Sequence, residues 1–355
     1  MFETVSDLLL EAIEQKATPG VAAAIGCGHE ILYERCFGRL SYDEDAPVVT
    51  PETLYDMASV TKILCTTMLC LQALGEGRIY LRDPISLYFP EAPADKRDIT
   101  LFQLLTHTSG IDPHFYLWDY VDGKEHPAEV ILNHPLMYRP GTEVRYSCMG
   151  FILLGKILEK IYDAPIDELF QRRVAVPLGL DKTGYCPADS QNIAPTEYDA
   201  DARLLQGRVH DENARFQNGV SANAGIFSNL TDMEVFVETL ACGGTAPNGI
   251  ELIPPRCLEK AIVNYTKGMA ENRGLGFKLY GGSANFMGDL FPDAAFGHTG
   301  YTGTGFAVDP ETGFYIILLA NRVHPTRNQT LWLRTRRLVH NAAAAEFYRE
   351  DKRLV

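Results

Sequence analysis

The two ends of the chain mirror one another, and this constrains the fold more than any other feature. Residues 2–16 place Phe2, Val5, Leu9, Ala12 and Ile13 at helical spacing, and Thr18-Pro19-Gly20 ends that helix. Residues 21–26 and 31–37 then read as two strands joined by the turn Gly26-Cys27-Gly28-His29. At the far end, residues 306–308 and 314–321 form a second hairpin across Asp309-Pro310-Glu311-Thr312-Gly313, where proline and glycine supply the turn torsions. Residues 331–348 follow as a helix, with Leu331, Leu338, Val339, Ala342 and Phe347 as its buried stripe. Helix–strand–strand at one end and strand–strand–helix at the other predict one antiparallel sheet built from both termini. The terminal helices are expected to cover one face of it.

The middle of the chain is mostly helical. Residues 60–74 are apolar nearly all round (Ile63, Leu64, Cys65, Met68, Leu69, Leu71), which marks a buried helix. Residues 101–105 and 150–161 are further helical pieces. Thr231-Asp232-Met233-Glu234 reads as a capping box that opens a helix ending at Gly243-Gly244. With no internal repeat or flexible linker, the helical block reads as an insertion into one α/β (α+β) domain. Residues 1–58 and 215–355 are assigned to the sheet part and 59–214 to the mainly helical part.

Composition narrows the partners. A formal charge of −14 with no dense basic run argues against nucleic acid or an anionic membrane. The longest uninterrupted apolar run, residues 314–320, is too short to span a bilayer. Met-Phe-Glu-Thr-Val-Ser-Asp carries neither a basic region nor an apolar core, so a cytoplasmic location is expected unless a leader has been removed. Cysteines stand at 27, 36, 65, 70, 148, 186, 242 and 257, none in a C-x-x-C pair; they are expected to be reduced, buried small hydrophobes. Walker, H-E-x-x-H, G-x-S-x-G and G-x-G-x-x-G patterns are all missing.

Three segments carry reactive groups. In Ser59-Val60-Thr61-Lys62 the serine hydroxyl and the lysine share one helix face, at a helix start that favours negative charge. Apolar surroundings would help the lysine to lose its proton and act as a base. Alternatively, Ser59 is a cap and Lys62 a solvated surface lysine. Tyr146, in Tyr146-Ser147-Cys148, is either a proton shuttle or an ordinary core tyrosine. In Phe296-Gly297-His298-Thr299-Gly300-Tyr301-Thr302-Gly303-Thr304-Gly305, the glycines mark a close backbone approach, whose free N–H groups can stabilise an oxyanion. The alternative is a glycine-rich bulge with His298 on the surface.

Taken in order, Ser59-x-x-Lys62, Tyr146-x-Cys148 and His298-Thr299-Gly300 resemble the serine β-lactamase and penicillin-binding-protein superfamily. The version here is closer to the class C branch, which includes D-alanyl-D-alanine peptidases and family VIII esterases. Residues 101–110, 146–151, 209–214 and 223–228 add flanking similarity. The resemblance implies the β-lactamase/transpeptidase-like fold, Ser59 as nucleophile, and Lys62 with Tyr146 as the proton-transfer unit. It also implies an oxyanion hole from the Ser59 and Tyr301 N–H groups. His298 replaces a lysine and would polarise Tyr146 or meet a substrate carboxylate; Thr299, Gly300 and Cys148 complete the substrate side. The expected substrate is a small ester, amide or lactam, and no cofactor is needed; the alternatives are a D-Ala-D-Ala carboxypeptidase or weak β-lactamase, or a catalytically silent ligand-binding relative. Cys148 departs from the family's asparagine, and a thiol is a poor substitute for a carboxamide, which favours esters over peptides and lactams. Residues 209–214 are read either as a rim of the site or as a capped polar loop. The run His210-Asp211-Glu212 is not assigned a metal, because three adjacent residues rarely point at one ion.

Overall fold

A computed structural model describes residues 1–120, 127–188 and 192–350. α1 (Glu3–Glu14) leads into the strands β1 (Gly20–Cys27) and β2 (Glu30–Gly38). β3 (Tyr55–Asp56) precedes the helical middle, which is interrupted by β4 (Gly184–Tyr185) and followed by β5 (Ile226–Ser228). The strands β6 (Glu271–Arg273), β7 (Lys278–Gly282), β8 (Phe296–Thr299), β9 (Gly305–Val308) and β10 (Phe314–Ala320) come last. Seven strands form one antiparallel sheet in the order β2-β1-β10-β9-β8-β7-β6, and β3-β5-β4 form a small second sheet. The ends meet as expected: β1 pairs with β10, from Val21 opposite Ala320 to Cys27 opposite Phe314.

The helical middle runs from a 3-10 turn at Ala58–Val60 through a π-helical turn at Lys62–Thr67 into α2 (Met68–Gly75). It continues through α3 (Leu101–Leu105), α4 (Pro127–Asn133), α5 (Cys148–Tyr162), α6 (Ile166–Phe170), α7 (Val176–Leu178) and α8 (Glu212–Phe216). Next come α9 (Leu230–Ala241), α10 (Pro255–Ala261) and the terminal α11 (Leu331–Glu350). On β1, Val21, Ala23 and Ile25 pack in one core with α1 and α11, while Ala22 and Ala24 face a second, larger core that includes α2 and α9. The sheet is thus covered on both faces, so β1 and β10 read as continuous apolar runs.

Several details correct the sequence reading. The buried stripe of α11 contains Trp332, Val339, Ala343 and Phe347, whereas Leu331 is exposed. Trp332 wins because its indole N–H also reaches a buried acceptor, donating to the Gly303 carbonyl at 2.8 Å. Helix α9 is capped by Asn229, whose side chain accepts from the Asp232 N–H at 2.9 Å, so Thr231 lies inside the helix instead of at its start. The segment Ala58–Gly75 is the one stretch among the described residues long and apolar enough to cross a membrane, and it is 83% buried inside the protein. Its π-helical turn leaves no trace in hydrophobic periodicity. Only Cys65, Cys70 and Cys257 are buried; Cys186 is exposed and the others are half-buried.

Candidate active site

Ser59 sits where β3 gives way to the buried helix. The preceding Ala58 has φ +46°, a left-handed conformation that a small side chain tolerates and that turns the backbone sharply before the serine. Asp56 fixes this bend. Its buried carboxylate accepts from the Ala58 N–H at 2.8 Å and from the His210 N–H at 2.6 Å. Burial raises the Asp56 pKa, and these two N–H bonds oppose that rise.

Lys62 is completely buried, and an ammonium has three N–H donors. All three have acceptors: the Asn223 carbonyl at 2.9 Å, Ser59 Oγ at 3.2 Å and Cys148 Sγ at 3.4 Å. The solvated-lysine alternative is therefore excluded. The expectation that apolar surroundings lower the Lys62 pKa is also corrected. Burial pulls it down, but the acidic groups of Cys148, Tyr146 and Asp211 outweigh burial and raise it.

Tyr146 lies beside this group, with Lys62 Nζ 4.9 Å from its ring centroid. Its Oη is buried and makes no hydrogen bond of good geometry, although Ser59 and Lys62 are the polar groups next to it. Burial raises the Tyr146 pKa, and Lys62 only partly offsets this. His107 holds the segment from behind: its Nδ1 accepts from the Ser147 N–H at 3.0 Å, while Ser147 Oγ caps α5 through the Gly150 N–H at 3.1 Å.

Ser59, Tyr146, Cys148 and Tyr301 open onto one cavity of about 330 Å³, whose walls also include His210, Asp211, Glu212 and Arg327. Of residues 209–214, His210, Asp211 and Glu212 line the cavity, and the capped loop read as the alternative is present too. Asp211 caps α8 through the Ala214 N–H at 2.8 Å, and His210 Nε2 pairs with Glu197 at 3.0 Å. Arg327 donates to Glu197 and to Glu212, both at 2.7 Å.

His298, Thr299 and Gly300 are not among the residues that line this cavity. His298 is buried, with Nδ1 3.0 Å from the Thr299 carbonyl. Burial first, then Lys278, Arg273 and Lys62, hold it well below the ordinary histidine range, so it is neutral and unsuited to binding a carboxylate. These residues instead place Tyr301. The Gly300 N–H donates to the Thr304 carbonyl at 2.8 Å, Thr302 Oγ1 to the Asp56 carbonyl at 2.7 Å, and Thr304 Oγ1 to the Met57 carbonyl at 3.2 Å. The turn is thereby pinned to the strand that delivers Ser59. The N–H groups of Ser59 and Tyr301 make no hydrogen bond to a described residue. A Cβ at Gly300 would collide with Thr304 Oγ1 and with the Met57 carbonyl oxygen, 2.6 Å away. Gly300→Ala should therefore move the turn and lower turnover about 10²-fold, the cost of one misplaced oxyanion donor. Steady-state kinetics on folded protein checks this; an unchanged kcat would remove the turn from the site.

Asp56, the Asn223 carbonyl, Glu197 and Arg327 were not anticipated. The Asn223 segment was noted only for its similarity, and a carbonyl acceptor carries no sequence signal.

The sequence profile of the β-lactamase family matches residues 5–341. The chain belongs to the β-lactamase family. A protein of Escherichia coli K12, provisionally named a D-alanyl-D-alanine carboxypeptidase, is 30% identical over 347 residues, covering 86% of this chain and 79% of its own. Among solved structures, the hydrolase EstCE1, described as having promiscuous acyltransferase activity, superposes with a TM-score of 0.75 at 21% identity, over 96% of this chain and 97% of its own. A class C β-lactamase of Rhodobacter sphaeroides gives 0.75 at 20% identity, over 97% and 99%. These two establish the β-lactamase/transpeptidase fold, as the sequence implied.

Proposed function

We propose that this β-lactamase-family hydrolase is a serine esterase that works through an acyl-enzyme on Ser59. The observation that carries the reading is Lys62 Nζ at 3.2 Å from Ser59 Oγ, on the wall of the cavity that Tyr146 and Tyr301 share. Ser59 Oγ attacks the carbonyl carbon and its proton passes to the Lys62–Tyr146 pair. The N–H groups of Ser59 and Tyr301 receive the oxyanion. The pair returns the proton to the leaving alkoxide, and water then repeats the sequence on the acyl-enzyme.

Two features support neutral esters over acylamino acids. Cys148 offers no carboxamide to a substrate amide. The arginine on the cavity wall, Arg327, is engaged by Glu197 and Glu212, and His298 is buried, neutral and off the wall. Penicillins, cephalosporins and peptidyl-D-alanines all carry a carboxylate. A small activated ester should exceed a chromogenic cephalosporin in kcat/KM by at least about tenfold, or about 1.4 kcal/mol. Cys148→Asn should shift the ratio toward the cephalosporin while leaving the ester rate nearly unchanged. A wild-type preference for the cephalosporin, or a ratio that Cys148→Asn does not move, sinks the esterase assignment. A carboxypeptidase is the second reading, supported by the E. coli relative; release of D-alanine from a peptidyl-D-alanyl-D-alanine substrate, abolished by Ser59→Ala, would favour it.

A further inference from the structure

Arg273, on β6, is almost completely buried, and no step so far uses it. Its Nε donates to Glu271 at 2.9 Å and its Nη2 also binds Glu271, but Nη1 is buried without a partner. A buried guanidinium left partly unpaired is costly to a fold. Its Cζ lies 5.1 Å from the centroid of the Tyr146 ring. A cation at that distance interacts with the ring's π-system. The attraction grows when the phenol becomes a phenolate, because the added electron density spreads into the ring.

The other groups around Tyr146 come from five segments. Lys62 projects from the buried helix, Cys148 from the start of α5, His107 from the loop after α3, His298 from β8 and Asp211 from the rim. Burial, followed by Arg273 and Lys62, keeps His107 well below the ordinary histidine range, so both histidines are neutral. Lys278, on β7, is pulled down to about 7, first by burial and then by Arg273, so it loses its charge as the solution turns alkaline. An arginine keeps its charge across that range. Among the described residues, Lys62 and Arg273 are the cations that lie against the Tyr146 ring.

We propose that Arg273 is a positioning residue that holds the Tyr146 ring and sets the pH at which the Lys62–Tyr146 pair releases its proton. This rests on Ser59 being the nucleophile. The test is the rate of Ser59 labelling by a fluorophosphonate as a function of pH, with KM and kcat for a simple ester measured alongside. Arg273→Gln should move the profile about one unit toward alkaline pH, which is about tenfold slower labelling at neutral pH. Its rate should approach wild type at high pH, with KM changed by less than about twofold. Arg273→Lys should stay within about threefold of wild type, because it keeps the charge. Glu271→Gln should move the profile the opposite way, because Arg273 then has no carboxylate to share its charge; this arm holds even if Arg273→Gln does not fold. A rate lowered equally at every pH, a lysine variant as impaired as the glutamine one, or a Glu271→Gln profile that stays put would each overturn the proposal. A wild type that does not label at all would instead overturn the serine-hydrolase reading beneath it.

Discussion

Treatment with a fluorophosphonate should add one group to the protein, and peptide mapping should place it on Ser59. Ser59→Ala should abolish that adduct and lower ester turnover about 10⁴-fold or more, as expected when the nucleophile of a cooperating set is removed. The half-buried thiol of Cys148 is the obvious competitor, since it lines the same cavity. Burial raises its pKa, however, so at neutral pH it is a thiol and a poor nucleophile. Intact mass spectrometry of wild type and Ser59→Ala decides the matter. An adduct that survives the substitution, or maps to a cysteine, would end the acyl-enzyme mechanism.

Lys62 and Tyr146 should behave as one unit. Lys62→Ala or Tyr146→Phe alone should cost about 10²- to 10⁴-fold in kcat, the usual contribution of a positioned acid–base group. Because the two groups share one proton path, the double variant should lose little more than the worse single one. Costs that multiply would show that they work independently. The pH dependence has a definite sign. Both groups have pKa values raised above the ordinary lysine and tyrosine values, so at neutral pH the pair holds its protons and its basic form is scarce. The rate of Ser59 acylation should therefore rise with pH through the neutral and alkaline range, following the apparent pKa values of the pair rather than those of either residue. A rate that falls over that range would mean that the protonated pair is the working form.

The terminal hairpins and the Ser59–Lys62 spacing were readable because their signals are local: alternation, turn residues and one helical turn. What escaped depends on chain segments that meet only in the fold. Asp56 binds the His210 N–H across 154 positions, and Arg327 reaches Glu197 across 130. The Asn223 carbonyl is a backbone group that any residue would provide. The burial of His298 was not legible because a histidine in a glycine-rich strand carries no sign of the cations packed around it. The burial of Lys62 and its place beside Ser59 were legible, but the direction of its pKa shift was not, because an apolar helix does not reveal the three acceptors.

The pairing of β1 with β10 has a consequence for when reactivity appears. Val21 pairs with Ala320 across almost the whole chain, a contact with a large closure entropy that is expected to form late in folding. The Ser59–Lys62 turn is local by comparison. Tyr301 lies between β8 and β9, and its turn is held by Trp332 of α11 through the Gly303 carbonyl. A nascent or partly folded chain can therefore possess its serine and lysine yet lack the Tyr301 N–H proposed to help receive the oxyanion. A serine-directed probe would then act as a conformational reporter, marking only molecules whose two ends have already met.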